Sequence, residues 1–261
     1  MKMKIYESQE STIVNWQWSE PGLRNITDIV MSPVAGKNGR VLDAGCGTGR
    51  VSIELARRGF EVDGLDTDPR VIAIAKTMAA QSDANCHFFI GDITVRGDVP
   101  RTQYDMVICS EVIEHIEDYK KAIEVFHDIL VPNGTLILTT PHDPSQFSVL
   151  DVEAGHYRRY TIDQLKQDLS AFTIDFLTTS GFPFYRSARW LYPQLLRLRG
   201  RQYSREELWG TGRLSLTARL LYSLTKVDNL FNSLHLGDCV IIRARPLRMS
   251  RSGASSRKSA N

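Results

Sequence analysis

Three glycines fall within five positions, Gly45, Gly47 and Gly49, between the apolar run VLDA and the segment RVSIELAR. A glycine turn between a strand and a helix lets a ligand approach bare backbone, and it predicts unsatisfied N–H groups at the helix start. Asp66 follows Gly45 by 21 positions and ends a second apolar segment, EVDGLD. A carboxylate so placed can accept both hydroxyls of a ribose. Turn and acid together call for a nucleoside.

Two kinds of nucleoside cofactor fit that geometry. Dinucleotides need G-x-G-x-x-G, with a pyrophosphate on the helix N-terminus. Here the order is G-C-G-T-G, so the last glycine comes one position early, and Asp43 stands just before the turn. That carboxylate would repel a pyrophosphate but help to hold an amino-acid ammonium, directly or through water. S-adenosylmethionine carries an ammonium and no phosphate.

The elements that would position these residues alternate regularly. Short apolar runs at 40–45, 61–66, 87–92, 105–110 and 135–140 read as strands. Between them lie helical stretches at 50–59, from Pro69 with Asp68 as its cap, and from Tyr119. LRNITDIV at 23–30 has helical spacing. Thr161 and Gln164 match a capping box that starts a short helix, and strand-like runs recur at 171–179 and 239–245. Strands alternating with helices imply an α/β fold, a parallel sheet with helices on both faces. Residues 1–245 read as one domain with a helical insertion at 181–237, and 246–261 as a disordered basic tail.

Bulk properties narrow the function. A net charge of +2 over 261 residues excludes polyanion binding by bulk charge. Cys46, Cys86, Cys109 and Cys239 show no metal-ligand spacing and read as reduced thiols. The opening MKMKIYESQEST lacks the apolar region of a signal peptide, and no run approaches a membrane span, so a cytoplasmic location is expected.

The ordered motifs VLDAGCGTG, EVDGLDTDP, FFIGDI, YDMVICSEVIEHIED and LVPNGTLILTTP resemble the class I S-adenosylmethionine-dependent methyltransferases over residues 25–180. CVIIRARP fits that family's final antiparallel strand, so the resemblance implies a Rossmann-like doubly wound sheet, mostly parallel, with one antiparallel strand near the C-terminus. The resemblance implies S-adenosylmethionine as cofactor, held by Asp43, Gly45, Cys46, Gly47, Gly49, Asp66, Thr67, Asp92, Ile93 and Ser110. Asp92 would reach the adenine amino group. His115, in SEVIEH, would line the methionine end. GHYRRYT resembles a segment of small-molecule methyltransferases of ubiquinone and glycolipid O-methylation, which points to His156.

A hydroxyl acceptor needs a base to take its proton, and His is the usual choice. His115 and His156 are the catalytic candidates, with His142 in TTPHDP and Glu111 as lesser ones; His87 and His127 read as structural. The Asn/Asp-Pro-Pro-aromatic clamp of nucleic-acid amino methyltransferases is missing after the fourth strand, so no nucleic-acid partner is expected. Asp105 with Glu111 does not make a metal cluster, and no metal is assigned.

Arginines 186, 189, 197, 199 and 201 interleave with Trp190, Leu191 and Leu195, and Pro193 is expected to kink that run. The stretch reads as a helical lid over the acceptor pocket, or as a lid that also makes peripheral contact with the inner membrane surface through 185–202. The expected activity is methyl transfer to an oxygen nucleophile on a small lipid-like or sugar-containing molecule. Its rivals are N-methylation of a small molecule, a non-catalytic S-adenosylmethionine-binding protein, and a dehydrogenase on the same fold. Oligomeric state is left open.

Overall fold

The computed structural model describes residues 14, 17, 18, 20–32, 38–198 and 216–247. Helix α1 spans Pro21–Met31, β1 Arg40–Ala44, α2 Arg50–Arg57, β2 Glu61–Asp66, α3 Pro69–Gln81 and β3 Cys86–Ile90. Then come β4 Tyr104–Ser110, α4 Tyr119–Ile129, β5 Leu130–Pro141, α5 Val149–Ala154, α6 Ile162–Asp168 and β6 Phe172–Ser180. The insertion contributes α7, Phe184–Leu198, and α8, Leu216–Asp228, before β7, Cys239–Pro246.

Seven strands form one sheet in the order β3-β2-β1-β4-β5-β7-β6. The pairs among β1 to β5 are parallel, and β7 runs antiparallel to both of its neighbours. The single reversed strand is therefore β7, as the family resemblance implies. Central strands that are apolar on both faces demand cover on both faces. Leu42, Val107, Leu136 and Ile242 pack on one side with Ile123 and Phe126 of α4. Val41, Ile108 and Ile241 pack on the other with Ile26 and Val30 of α1 and Leu55 of α2.

Local chemistry sets several boundaries. Asp68 accepts the N–H of Arg70 at 2.9 Å and Pro69 takes the first helical position, so α3 starts where the sequence predicts. Thr161 caps α6 by accepting the N–H of Gln164, but the Gln164 amide donates to the Tyr119 hydroxyl instead of closing a reciprocal box. The sequence reading starts the fifth strand after PNG. In the structure β5 already pairs at Leu130, with a register shift between Tyr104 and Met106 that accommodates the turn and Asn133 at φ +66°. The helix assignment of α7 runs through position 193 without a break. The basic tail from residue 248 and the segment 199–215 lie outside the described residues.

The chain leaves β1 towards β3, then returns to lay β4 on the opposite side of β1. The carboxyl ends of β1 and β4 therefore flank a topological switch point, where ligands bind in open α/β sheets.

Candidate active site

The glycine turn is shaped by its own hydrogen bonds. Gly45 and Cys46 both donate to the carbonyl of Leu65, at 2.8 and 3.0 Å, and Gly49 donates to Cys46 at 2.9 Å. Gly47 donates to Oδ2 of Asp66 at 2.9 Å. Thr48 donates its N–H to Oε1 of Gln17 at 2.8 Å, and Trp18 Nε1 donates to the Thr48 hydroxyl at 3.1 Å. The N–H groups of Gly45 to Gly49 thus all have protein partners. Bare backbone is still required: Gly45 sits at φ +74°, and a Cβ there would lie 2.4 Å from Cγ2 of Val112.

A cavity of about 400 Å³ opens beside this turn. Gly45, Leu65, Asp66, Thr67, Gly91, Asp92 and Ile93 line one part; Glu111, Val112, His115, Ile116 and Tyr157 line the other. Asp66 accepts from Gly47 on one oxygen and from Asp68 N–H, at 3.0 Å, on the other. Each oxygen keeps a second lone pair for a ribose hydroxyl. Burial raises its pKa. Asp92 commits Oδ1 to the backbone N–H and the hydroxyl of Thr94, both at 2.8 Å.

The other residues expected at the cofactor stand behind the wall. Asp43 is 3% exposed and accepts from the Ser52 hydroxyl at 2.6 Å, tying the end of β1 to α2; burial lifts its pKa to about 6. Cys46 packs with Ile53, Ile72 and Phe88. Ser110 shares a hydrogen bond with the Thr139 hydroxyl at 3.0 Å. Gly47 and Gly49 shape the turn, at φ +53° and +82°.

At the far end, Glu111 takes φ +58° and its N–H donates to Thr139 O at 3.0 Å. Its Oε1 accepts from Thr139 Oγ1 at 3.0 Å and from Cys239 Sγ at 3.2 Å. Glu114 is fully buried; Oε2 accepts from Thr140 at 2.9 Å, and Oε1 has no protein partner. Burial pushes both carboxyls upward, and their mutual repulsion pushes Glu114 further. Asp105 sits at the opposite end of β4, accepting from Arg40 N–H.

His115 Nδ1 lies 3.2 Å from the carbonyl of Gly155. A carbonyl only accepts, so Nδ1 carries the proton and Nε2 keeps its lone pair. Burial, then the neighbouring His156, hold His115 down to about 3, so it is neutral. His156 packs edge-on against His115, with ring centroids 4.7 Å apart, and its Nδ1 is 3.0 Å from Oδ1 of Asp151. Of the two predicted histidines, His115 reaches the cavity wall and His156 stands behind it. Glu114, His115 and His156 offer heteroatoms within 4.8 Å of one another, with His115 Nε2 4.0 Å from Glu114 Oε1, a spacing that would admit a small cation.

His142 Nδ1 donates to the Gly237 carbonyl at 3.1 Å, and His127 Nε2 donates to the Leu247 carbonyl at 3.3 Å; both are anchors. Glu114, Tyr157, Gln17 and Trp18 were not among the expected site residues, although Glu114 and Tyr157 lie in the motifs SEVIEH and GHYRRYT.

No residue of the insertion lines the cavity among those described. It docks on α1 instead: Lys226 and Tyr222 hold Asp28, and Tyr185 donates to Glu20 at 2.9 Å. Among the described residues the insertion does not cover the cavity, and its segment 199–215 lies outside them.

The sheet order, with the cavity at its switch point, is that of the class I S-adenosylmethionine-dependent methyltransferase fold. A family model described as a methyltransferase domain matches residues 23–173, and the chain belongs to that family. The ubiquinone biosynthesis O-methyltransferase of Xanthomonas campestris pv. campestris (strain B100) is 31% identical over 133 residues, 51% of this chain and 56% of the relative. That of Erwinia tasmaniensis is 27% identical over 133 residues, 51% and 55% of the two chains. The chain spans a little over half the length of these relatives. Among solved structures, the [4+2]-cyclase SpnF superposes with a TM-score of 0.60 at 20% identity, covering 86% of this chain and 80% of its own. YcgJ of Bacillus subtilis does so at 0.57 and 13%, covering 87% and 99%. These two establish the fold alone.

Proposed function

We propose that this domain methylates an oxygen nucleophile on a small, lipid-like or sugar-containing molecule. The observation that carries the reading is His115: a neutral imidazole on the wall shared with Asp66 and Asp92, its Nε2 lone pair available to a proton. The similarity to ubiquinone biosynthesis O-methyltransferases supports the choice of oxygen.

S-adenosylmethionine, when bound, supplies a methyl group already activated on a sulfonium. Asp66 would accept the ribose hydroxyls and Asp92 would reach the adenine amino group, with Gly45 leaving room for the chain between them. Val112, Ile116 and Tyr157 wall the other end of the cavity, where the acceptor would lie. His115 would take the proton that the acceptor hydroxyl loses, with His156 behind it. Alignment itself supplies much of the rate.

Purified protein incubated with methyl-labelled S-adenosylmethionine and fractionated cell extract should label a small organic product. Label in protein or nucleic acid only, or none, refutes the reading. No metal is part of it. Turnover abolished by a chelator and restored by magnesium would instead seat a cation among Glu114, His115 and His156.

A cytoplasmic location follows from the same reading. No helix among the described residues is long and apolar enough to cross a membrane. Contact of 185–202 with a membrane surface is the weaker alternative, because Arg186 and Arg189 spend their charge inward, on Asp143, Asp151 and Asp238. Trp190 and Leu191 are its remaining exposed support.

A further inference from the structure

Four charged side chains close a ring behind the histidine pair. Arg159 Nε donates to Asp151 Oδ1 at 2.8 Å, and its Nη1 donates to Asp238 Oδ1 at 2.9 Å. Arg189 completes the circle, with Nε 3.3 Å from Asp238 Oδ2 and Nη2 3.7 Å from Asp151 Oδ2. Each acid faces both arginines. The four come from four places: Asp151 from α5, Arg159 from the segment before α6, Asp238 from the residue before β7, and Arg189 from the insertion helix α7. Asp151 and Arg159 are almost wholly enclosed, whereas Arg189 is 26% exposed.

Burying two ion pairs is costly and seldom adds net stability. This ring has a further link that bears on the site. Asp151 Oδ1 also receives His156 Nδ1, at 3.0 Å, while Oδ2 is held by the N–H and hydroxyl of Ser148 at 2.9 and 3.0 Å. Burial would raise Asp151, but His156, Arg189 and Arg159 hold it well below the carboxylate range. A carboxylate only accepts, so His156 must carry its proton on Nδ1. Its ring then braces His115, whose other restraint is the Gly155 carbonyl.

We propose that Asp151 is a positioning residue that acts through His156 to fix His115 at the acceptor, and that Arg189 completes its seat, so that docking of the insertion sets the pose of the histidine pair. This rests on the function proposed above. It gives the insertion a task that requires no cover over the cavity.

The test uses the full-length chain with Arg189→Gln and Arg189→Lys, since Asp151→Asn in so enclosed a ring risks the fold. Four quantities are measured: S-adenosylhomocysteine affinity, kcat and KM for the acceptor that gives the product labelled above, and nitrogen chemical shifts of histidine-labelled protein. His156 in the unmodified protein should show one tautomer, protonated at Nδ1. Arg189→Gln should lower kcat by about 10–100-fold, the scale of a misplaced catalytic group, keep the S-adenosylhomocysteine Kd within about twofold, and blur the His156 signature. Arg189→Lys should recover most of kcat. An Nε2-protonated His156, an unchanged kcat in Arg189→Gln, or a parallel loss of kcat and product affinity would each overturn the inference while leaving the function intact. If the unmodified protein fails to bind S-adenosylhomocysteine, the functional reading falls, and this inference with it.

Discussion

Asp66, at the end of β2, accepts the N–H of Gly47 at 2.9 Å, so the acid expected to hold the ribose also holds the middle of the glycine turn. Cofactor site and turn are one hydrogen-bonded unit. Asp66→Ala should weaken S-adenosylhomocysteine binding by ~1–3 kcal/mol, the scale of a lost charged hydrogen bond. Calorimetry reads this directly, and an unchanged Kd would leave Asp66 with the turn alone.

His115→Ala should cut kcat by at least about 100-fold, the lower end of general-base contributions, with product affinity retained. His156→Ala should also lower turnover more than cofactor affinity, but by less than His115→Ala, because His156 stands one layer back from the cavity. Single-turnover assays beside calorimetry separate the two effects. A loss of affinity without a loss of turnover would move these residues into the cofactor site.

Asp43 gives a pH dependence with a definite sign. Its pKa in the fold is about 6, raised from 3.8 chiefly by burial. A raised carboxyl contributes stability that is fully present below its unfolded value and is lost as pH rises through its folded value. Between pH 4 and pH 7 this amounts to about 3 kcal/mol at 1.36 kcal/mol per unit. Asp43→Asn, which keeps an acceptor for Ser52, should escape that loss. Urea unfolding of the ligand-free protein at both pH values should therefore show the variant gaining on the natural chain as pH rises. A constant difference would mean that Asp43 is ionised throughout.

Gly45→Ala should cost ~1–3 kcal/mol of stability from the left-handed backbone alone. The added Cβ would also drive Val112 from its place, 2.4 Å away, and so distort the cavity wall. Loss of product binding together with a lowered Tm is the expected outcome. A variant that binds normally would show that Val112 can give way.

Much of the fold was open to reading along the chain because its signals are local. Asp68 and Pro69 announce α3 and EVDGLD matches β2 residue for residue, whereas the reversal of β7 was expected only from the family resemblance. Gly45, Asp66, Thr67, Asp92, Ile93 and His115 were expected at the cofactor or acceptor and line the cavity. Asp43 and His156 were expected there too, yet stand behind its wall, because a motif specifies which residues are near a ligand but not which side chains turn towards it.

The amino-acid order by itself determined the alternation of strands and helices, the glycine turn and the distant acid, since each depends on spacing within a few residues or on backbone freedom. Only the tertiary structure decided which partner each polar group found. Gln17 caps Thr48 from 31 positions away, Glu114 is enclosed without a partner for one oxygen, and Arg189 reaches Asp151 across the insertion. Those choices are set by packing between segments far apart in sequence, where burial makes every unpaired charge expensive and no local pattern records which side chain will answer it.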